Sequence, residues 1–167
     1  DWIELISFAN EREPCMYAGA EKGAGGRLTG WREQPLQEVL ARDVLAFKQD
    51  VKLLNEHIVP VTVERGLATV RERRRLSAAD VDYFVPHMSS EYFRDKLARG
   101  LQNIGFPIPQ EKWFTNLASK GNTGAASIFI MLEELFNGGR LRPGDKVLCF
   151  VPESGRFTSS YMLLTAV

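Results

Sequence analysis

The chain has 167 residues, enough to bury one sizeable hydrophobic core, so its length predicts a single domain. Its 21 basic and 21 acidic residues give a formal net charge of zero, so no broad electrostatic field attracts nucleic acid or a membrane surface. No segment approaches the roughly 18 consecutive apolar residues of a membrane span, and the N-terminus lacks a secretory signal pattern. We therefore expect a cytoplasmic protein that binds neither nucleic acid nor membranes.

A strand, an irregular loop and a long helix are predicted for the first part of the chain. The apolar and aromatic residues of segment 2–8 favour a strand, whereas the many Gly and charged residues of segment 10–34 favour a polar loop that contains Cys15. Apolar residues at helical spacing throughout segment 36–70 indicate a helix. Because Pro60 lacks a backbone N–H, we expect it to kink or divide this helix.

Strands and helices alternate in the rest of the chain. The predicted strands cover residues 83–85, 112–116, about 146–151 and about 158–165. The predicted helices run from Ser89 or Ser90 to about Ile104, and from about Thr123 to Phe136. Since the second of these helices is apolar on nearly all sides, we expect it to be buried in the core. This order of elements predicts an α/β fold.

Two short polar motifs follow predicted strands. The first is Val-Pro-His-Met-Ser-Ser around His87, and the second is Lys-Gly-Asn-Thr-Gly-Ala-Ala-Ser around Asn122. Ligands of α/β sheets bind in the crevice outside the strand ends, so we expect both motifs to share one crevice. A His and an Asn supply two neutral hydrogen-bond donors for a developing oxyanion, which indicates acyl or carbon–carbon bond chemistry. A lone His is also typical of a surface or core position, and Asn122 of a helix N-cap, which is compatible with a catalytic role.

The motifs resemble the C-terminal half of the ketoacyl-ACP synthase III family, a branch of the thiolase-like enzymes. Members carry Val-Pro-His after a strand, Gly-Asn-Thr-x-Ala-Ala-Ser at the start of a buried helix, and Gly-Asp-x-Val-Leu before the last strands. These three patterns occur here at 85–87, 121–127 and 144–148. Segment 43–48 is similar to the Val-Phe-Lys opening of the family's long helix. The resemblance is strong over residues 43–150 and weak over residues 1–40.

The resemblance implies one half of a thiolase-like enzyme, an α/β unit with a mixed sheet of about five strands covered by helices. Residues 1–167 would form a single C-terminal domain, and an N-terminal half with the nucleophilic Cys would be missing, since the chain begins with Asp1. The family's Cys lies among small residues at a helix start, where the dipole favours the thiolate. Neither Cys15 nor Cys149 has that context, and Cys149 is typical of core packing.

The resemblance also implies the chemistry. The expected function is decarboxylative Claisen condensation of an acyl-CoA or acyl-ACP with a malonyl-ACP-type thioester, in fatty acid or polyketide-like biosynthesis. His87 and Asn122 would bind the carbonyl of the extender unit and stabilise its enolate. Acyl carrier protein and a second copy of the chain are the expected partners, and no cofactor or metal is expected. The alternative is a non-catalytic thiolase-like subunit that dimerises with, or scaffolds, a catalytic partner or carrier protein.

The loop before the last strand departs from the family. Members have a glycine-rich run there, usually with an aromatic gate residue, whose backbone contributes to a second oxyanion hole. The candidate oxyanion and gate residues here are Glu153, Ser154, Gly155 and Phe157. Ser154 or Gly155 could still supply the N–H, while Glu153 and Arg156 place charge near the mouth. An aryl or otherwise functionalised acyl substrate, a divergent non-condensing subunit, and a water-facing Glu153–Arg156 pair all remain open.

One dense run of charge precedes the first motif. Its arginines are Arg71, Arg73, Arg74 and Arg75. Cations at a helix end complement the C-terminal dipole, so a solvated helix end is one interpretation. A contact patch for an acidic carrier protein or a CoA phosphate is the other.

Overall fold

A computed structural model describes residues 1–8 and 14–167 of the chain. Its central sheet consists of β1 (Trp2–Ser7), β6 (Tyr83–Pro86), β7 (Lys146–Pro152) and β8 (Thr158–Thr165). Their spatial order is β1-β8-β7-β6, with β6 parallel to β7 and the other pairs antiparallel. The chain between the parallel strands crosses over through helices, as such a pairing requires. The predicted mixed α/β fold is confirmed.

The strand predicted over 112–116 is reduced to one parallel bridge between Phe84 and Trp113. A 3₁₀ turn over Gln110–Lys112 precedes the bridge. Pro109 begins this turn, and its carbonyl accepts from the Lys112 N–H. Residues 113–116 alone separate this turn from the helix that begins at Leu117, so little length is left for a strand, although the Phe114 N–H donates to the Phe84 carbonyl at 2.8 Å. The described sheet therefore has four full strands rather than five.

The segment predicted as an irregular loop over 10–34 contains short regular elements, although residues 9–13 lie outside the described part of the chain. These elements are β2 (Met16–Tyr17), β3 (Ala20–Lys22) and β4 (Leu28–Gly30). β3 pairs with β4 in a hairpin, and β2 pairs with β5 (Lys48–Gln49). Cys15, expected in a polar loop, is fully buried, because its N–H and carbonyl bond to Gly155 and Asp50 respectively.

The helix predicted over 36–70 is not continuous. It begins as α1 (Leu36–Ala41), stops at a turn in which Asp43 takes a positive φ of 52°, and resumes after β5. The second part comprises α2 (Val51–Val59), a π-helical segment (Pro60–Leu67) and α3 (Ala68–Arg74). Pro60 does not divide this part. Its missing N–H instead coincides with the change from α to π hydrogen bonding.

Three further α-helices complete the described fold: α4 (Arg94–Asn103), α5 (Leu117–Lys120) and α6 (Ser127–Asn137). Short 3₁₀ turns cover Ala24–Gly26, Trp31–Glu33, Ala78–Asp80, Glu91–Phe93 and Gly124–Ala126. The expected full burial of α6 is wrong, because Phe129 and Phe136 are each 71% exposed. Only one face of α6 packs on the sheet.

The two faces of the sheet carry separate cores. Along β8, Tyr161 and Leu163 face the π segment and α4, whereas Met162 and Leu164 face α6. Tyr161 is fully buried, and its hydroxyl donates to the carbonyl of Thr62 in the π segment. Gly66 makes this approach feasible, since a Cβ there would lie 2.0 Å from the Tyr161 oxygen. The π segment is thereby held against the sheet, and its other side faces the cavity described next.

Candidate functional site

A cavity of about 250 Å³ lies at the ends of β6 and β7. Its wall of mainly apolar side chains comes from the helical segments and includes Leu54, Ile58, Val59, Val63, Phe93 and Leu97. Its polar lining comes from three loops, which contribute His87 and Ser89, Asn122, and Glu153 and Ser154. The ends of β6 and β7 thus meet the loop before α6 in one crevice, as expected for an α/β sheet. Asn122, expected after a strand, instead follows the short helix Leu117–Lys120.

His87 follows the last residue of β6 and is fixed to the neighbouring strand. Its backbone N–H donates to the Phe150 carbonyl at 2.8 Å. The Nδ1 atom is buried and has no hydrogen-bond partner among the described residues. Burial disfavours the charged imidazolium and lowers the pKa of His87. The ring is therefore neutral at pH 7.

Asn122 lines the same cavity from the loop before α6. Its Oδ1 atom accepts from the Gly124 N–H at 3.1 Å, which closes a turn ahead of the 3₁₀ segment. Asn122 thus orders the turn, although it is not the N-cap of α6, because a 3₁₀ turn stands between them. With Oδ1 engaged, the amide NH₂ group is left to donate.

The β7–β8 turn places Glu153 and Ser154 at the cavity. The Glu153 carboxylate folds back on its own turn and accepts from the backbone N–H groups of Gly155 and Arg156, the latter at 2.9 Å. The Gly155 N–H, one of two candidates for an oxyanion hole, is therefore engaged in this structure. The Glu153–Arg156 side-chain pair, one of the alternatives that the sequence left open, is not the arrangement found here, because the carboxylate contacts the Arg156 backbone instead.

Phe157, the last of the predicted gate residues, does not line the cavity. Its side chain is buried with Cys15, Leu54 and Ile58, and its backbone has a positive φ of 58°.

Burial raises the pKa of the Cys149 thiol to about 12. Burial also raises the pKa of Cys15, with smaller contributions from the charges of Asp50 and Glu153.

The arginine run lies away from the cavity, and none of its four members lines it. Arg71 donates to the Ile104 carbonyl just after α4. Arg74 and Arg73 approach Glu4 of β1 at 2.8 and 3.8 Å. Arg75 ends α3 with a left-handed backbone. Three of the four arginine side chains thus connect the end of α3 to the end of α4 and to β1.

The sequence did not reveal the apolar wall. Val59, Thr62 and Val63 reach the cavity through the α2–π junction, and Leu97 reaches it from α4. Pro60 within a long apolar stretch is the one signal that could have marked this junction, since π segments are frequent at functional sites.

In residues 1–8 and 14–167, no group of three or more His, Cys, Asp or Glu is placed to hold a metal ion. Over the same residues, no helix combines the length and apolarity needed to cross a bilayer.

This mixed sheet, with His87 directly after β6 and Asn122 in the loop before α6 along one cavity, is that of a thiolase-like unit. The family model for the 3-oxoacyl-[acyl-carrier-protein (ACP)] synthase III C terminal matches residues 72–163, more than half of the chain. The chain belongs to this family.

Relatives in sequence carry the name beta-ketoacyl-[acyl-carrier-protein] synthase III. The protein from Acaryochloris marina is 32% identical over 150 residues, which cover 88% of this chain and 42% of the relative. The protein from Hyphomonas neptunium is 33% identical over 102 residues, 61% of this chain and 27% of the relative. The chain thus spans less than half the length of these relatives.

Solved structures share the fold. FabH, the 3-oxoacyl-(acyl carrier protein) synthase III from Pseudomonas aeruginosa PAO1, aligns with a TM-score of 0.65 at 22% identity. That alignment covers 98% of this chain and 43% of FabH. The tetronic acid condensing enzyme AbyA1 aligns with a TM-score of 0.69 at 19% identity, over 99% of this chain and 47% of AbyA1. At these identities the likeness concerns the fold alone.

Proposed function

We propose that this chain is the C-terminal half of a condensing enzyme that joins an acyl thioester to a malonyl-type thioester. The observation that carries the proposal is that His87 and Asn122 line one cavity. Membership of the synthase III family supports the reaction class. Acyl-CoA or acyl-ACP, malonyl-ACP and the carrier protein itself are the proposed substrates and partners.

In the proposed reaction, the malonyl-type thioester loses CO₂. The electron pair of the broken carbon–carbon bond passes into an enolate, whose oxygen takes the negative charge. Nε2–H of His87 and the amide NH₂ of Asn122 donate to that oxygen, each at about 2.7–3.1 Å in the complex. The lowered pKa of His87 supports this role, because a neutral ring offers a hydrogen bond without transferring its proton at once.

The enolate carbon then attacks an acyl group carried on a Cys of the N-terminal half. The new carbon–carbon bond forms as the Cys thiolate leaves. Two observations support a separate half that supplies this Cys. Both thiols of the described chain are buried with raised pKa values. An apolar face also remains uncovered, with Phe129 and Phe136 on α6 and Ile3 and Leu5 on β1 all more than half exposed.

The experiment is a condensation assay on the intact protein, this chain joined to its N-terminal half. An acyl-CoA and malonyl-ACP are supplied, and the 3-oxoacyl product is measured by mass spectrometry. We expect turnover by the wild type and a loss of roughly 10²–10³ in His87→Ala. Gln102→Ala, at an exposed position on α4 outside the cavity, is the control. A wild-type protein that loads no acyl group and forms no product would favour the non-catalytic subunit instead.

A further inference from the structure

The β7–β8 turn holds a carboxylate beside a mainly apolar cavity. Glu153 follows the last residue of β7, and that strand is bonded to the start of the His87 loop through Phe150. Glu153 and Ser154 therefore line the same cavity as His87 and Asn122. A hydrocarbon placed against a carboxylate strips water from it without replacing the lost hydrogen bonds.

The carboxylate is held in one place. Each of its two oxygens accepts one backbone N–H, from Gly155 and from Arg156. Gly155 allows this conformation, because a Cβ there would lie 2.5 Å from the nearer Glu153 oxygen. A carboxylate offers about four acceptor positions, so each oxygen keeps one for a ligand.

No cation neutralises the carboxylate within the described residues, where Glu153 takes part in none of the ion pairs within 4 Å. Its negative charge is felt nearby, since it helps to raise the pKa of Cys15. It does not contribute to the shift of His87, whose lowered pKa is caused by burial alone. Glu153 thus lines the cavity without altering the pKa of His87.

From this geometry we infer that Glu153 determines substrate specificity and selects an acyl group that carries a hydrogen-bond donor, such as a hydroxyl. This inference rests on the proposed condensing function and names the substrate class of the same site. The apolar wall would contact the carbon chain, while the spare acceptor positions of Glu153 would bind the donor. A site built to bind a donor discriminates against the analogue that lacks it.

The test compares butyryl-CoA with 3-hydroxybutyryl-CoA and 4-hydroxybutyryl-CoA in the intact protein. We expect kcat/KM for at least one hydroxylated substrate to exceed that for butyryl-CoA by about 10- to 100-fold. Glu153→Gln should bring that ratio close to one, while Glu56→Gln, an exposed carboxylate on α2, should leave it unchanged. If the wild type has nearly the same kcat/KM for butyryl-CoA as for each of the two hydroxylated esters, the inference is overturned, even if Glu153→Gln fails to fold.

Two other outcomes separate the inference from the proposed function. An equal effect of Glu153→Gln on all three thioesters would mean that Glu153 contacts the shared pantetheine arm, and would overturn the inference while condensation stands. If no thioester is condensed, the proposed function fails. In that case the selection of a hydroxylated acyl group by Glu153 is tested by calorimetric measurement of the affinities for the same three CoA esters. Equal affinities for all three esters overturn the inference.

Discussion

The contact between Gly66 and Tyr161 holds the π segment on the sheet, and Gly66→Ala tests it. The added Cβ would lie 2.0 Å from the Tyr161 oxygen and 3.1 Å from its Cζ, so the ring or the helix must move. Overpacking of this kind costs about 1–3 kcal/mol. Displacing the hydroxyl from the Thr62 carbonyl adds about 1–3 kcal/mol for a buried acceptor left unpaired. Against this, Ala gains only about 1 kcal/mol over Gly in a helix.

Gly66→Ala should therefore lower the free energy of unfolding by roughly 1–5 kcal/mol in urea unfolding followed by tryptophan fluorescence. Tyr161→Phe removes the oxygen that clashes, so the double variant should cost clearly less than the sum of the two single variants. Gly23→Ala, whose added Cβ would meet its nearest neighbour at 3.6 Å, is the matched control. Strictly additive costs, or a Gly66→Ala protein as stable as the wild type, would refute the close contact.

Three further predictions concern His87, the cysteines and the uncovered face. The pKa of His87 is lower in the folded chain than in the unfolded chain, so below about pH 6.5 the unfolded chain binds the extra proton and the free energy of unfolding decreases. In unfolding curves from pH 8 to pH 5, the free energy of unfolding should decrease less in His87→Gln than in the wild type. Cys149, with a pKa raised to about 12, and buried Cys15 should resist iodoacetamide at pH 8 until urea unfolds the chain, and an acyl or alkyl adduct on either thiol of the folded protein would contradict this. The 167-residue chain alone should associate in light scattering, and Phe129→Ser with Phe136→Ser should reduce that association; a monodisperse wild-type monomer at high concentration argues against it.

The α/β class was predictable because strong local signals mark most of the elements after residue 80, whereas the thiolase-like topology was expected from the family resemblance. The continuous apolar run of β7, the alternation of β8 and the helical spacing of α4 are each set by residues close in sequence. The prediction that ligands bind outside strand ends holds for His87, which follows β6 and lines one cavity with Asn122. It does not hold for Asn122, which follows the helix Leu117–Lys120 rather than a strand.

The first part of the chain was harder for a physical reason. β2 and β5 pair Met16 with Gln49, so neither two-residue strand is specified by its own segment. The pattern of apolar residues also continues across the turn at Asp43, where the chain is not helical. Leu45 and Phe47 extend this pattern although both side chains are exposed. Periodicity reports which residues are apolar, and cannot report which of them are buried.

The conformation of the β7–β8 turn could not be read from residue types. Glu153 and Arg156 have opposite charges, which favours a side-chain pair on paper. In the fold, the Gly155 and Arg156 N–H groups converge on the carboxylate and compete successfully with the guanidinium. Such backbone contacts depend on dihedral angles that a sequence pattern does not specify.

The central claim is that His87 and Asn122 stabilise one enolate oxygen. The most direct measurement follows the two half-reactions separately in the intact protein, with CO₂ release from malonyl-ACP and acyl loading from acyl-CoA. His87→Ala and Asn122→Ala should each lower CO₂ release by roughly 10²–10³, while acyl loading changes far less. The double variant should be little slower than either single variant, because both groups act on one atom. Equal loss of both half-reactions would contradict the claim and would leave Asn122 with the structural task of ordering its turn.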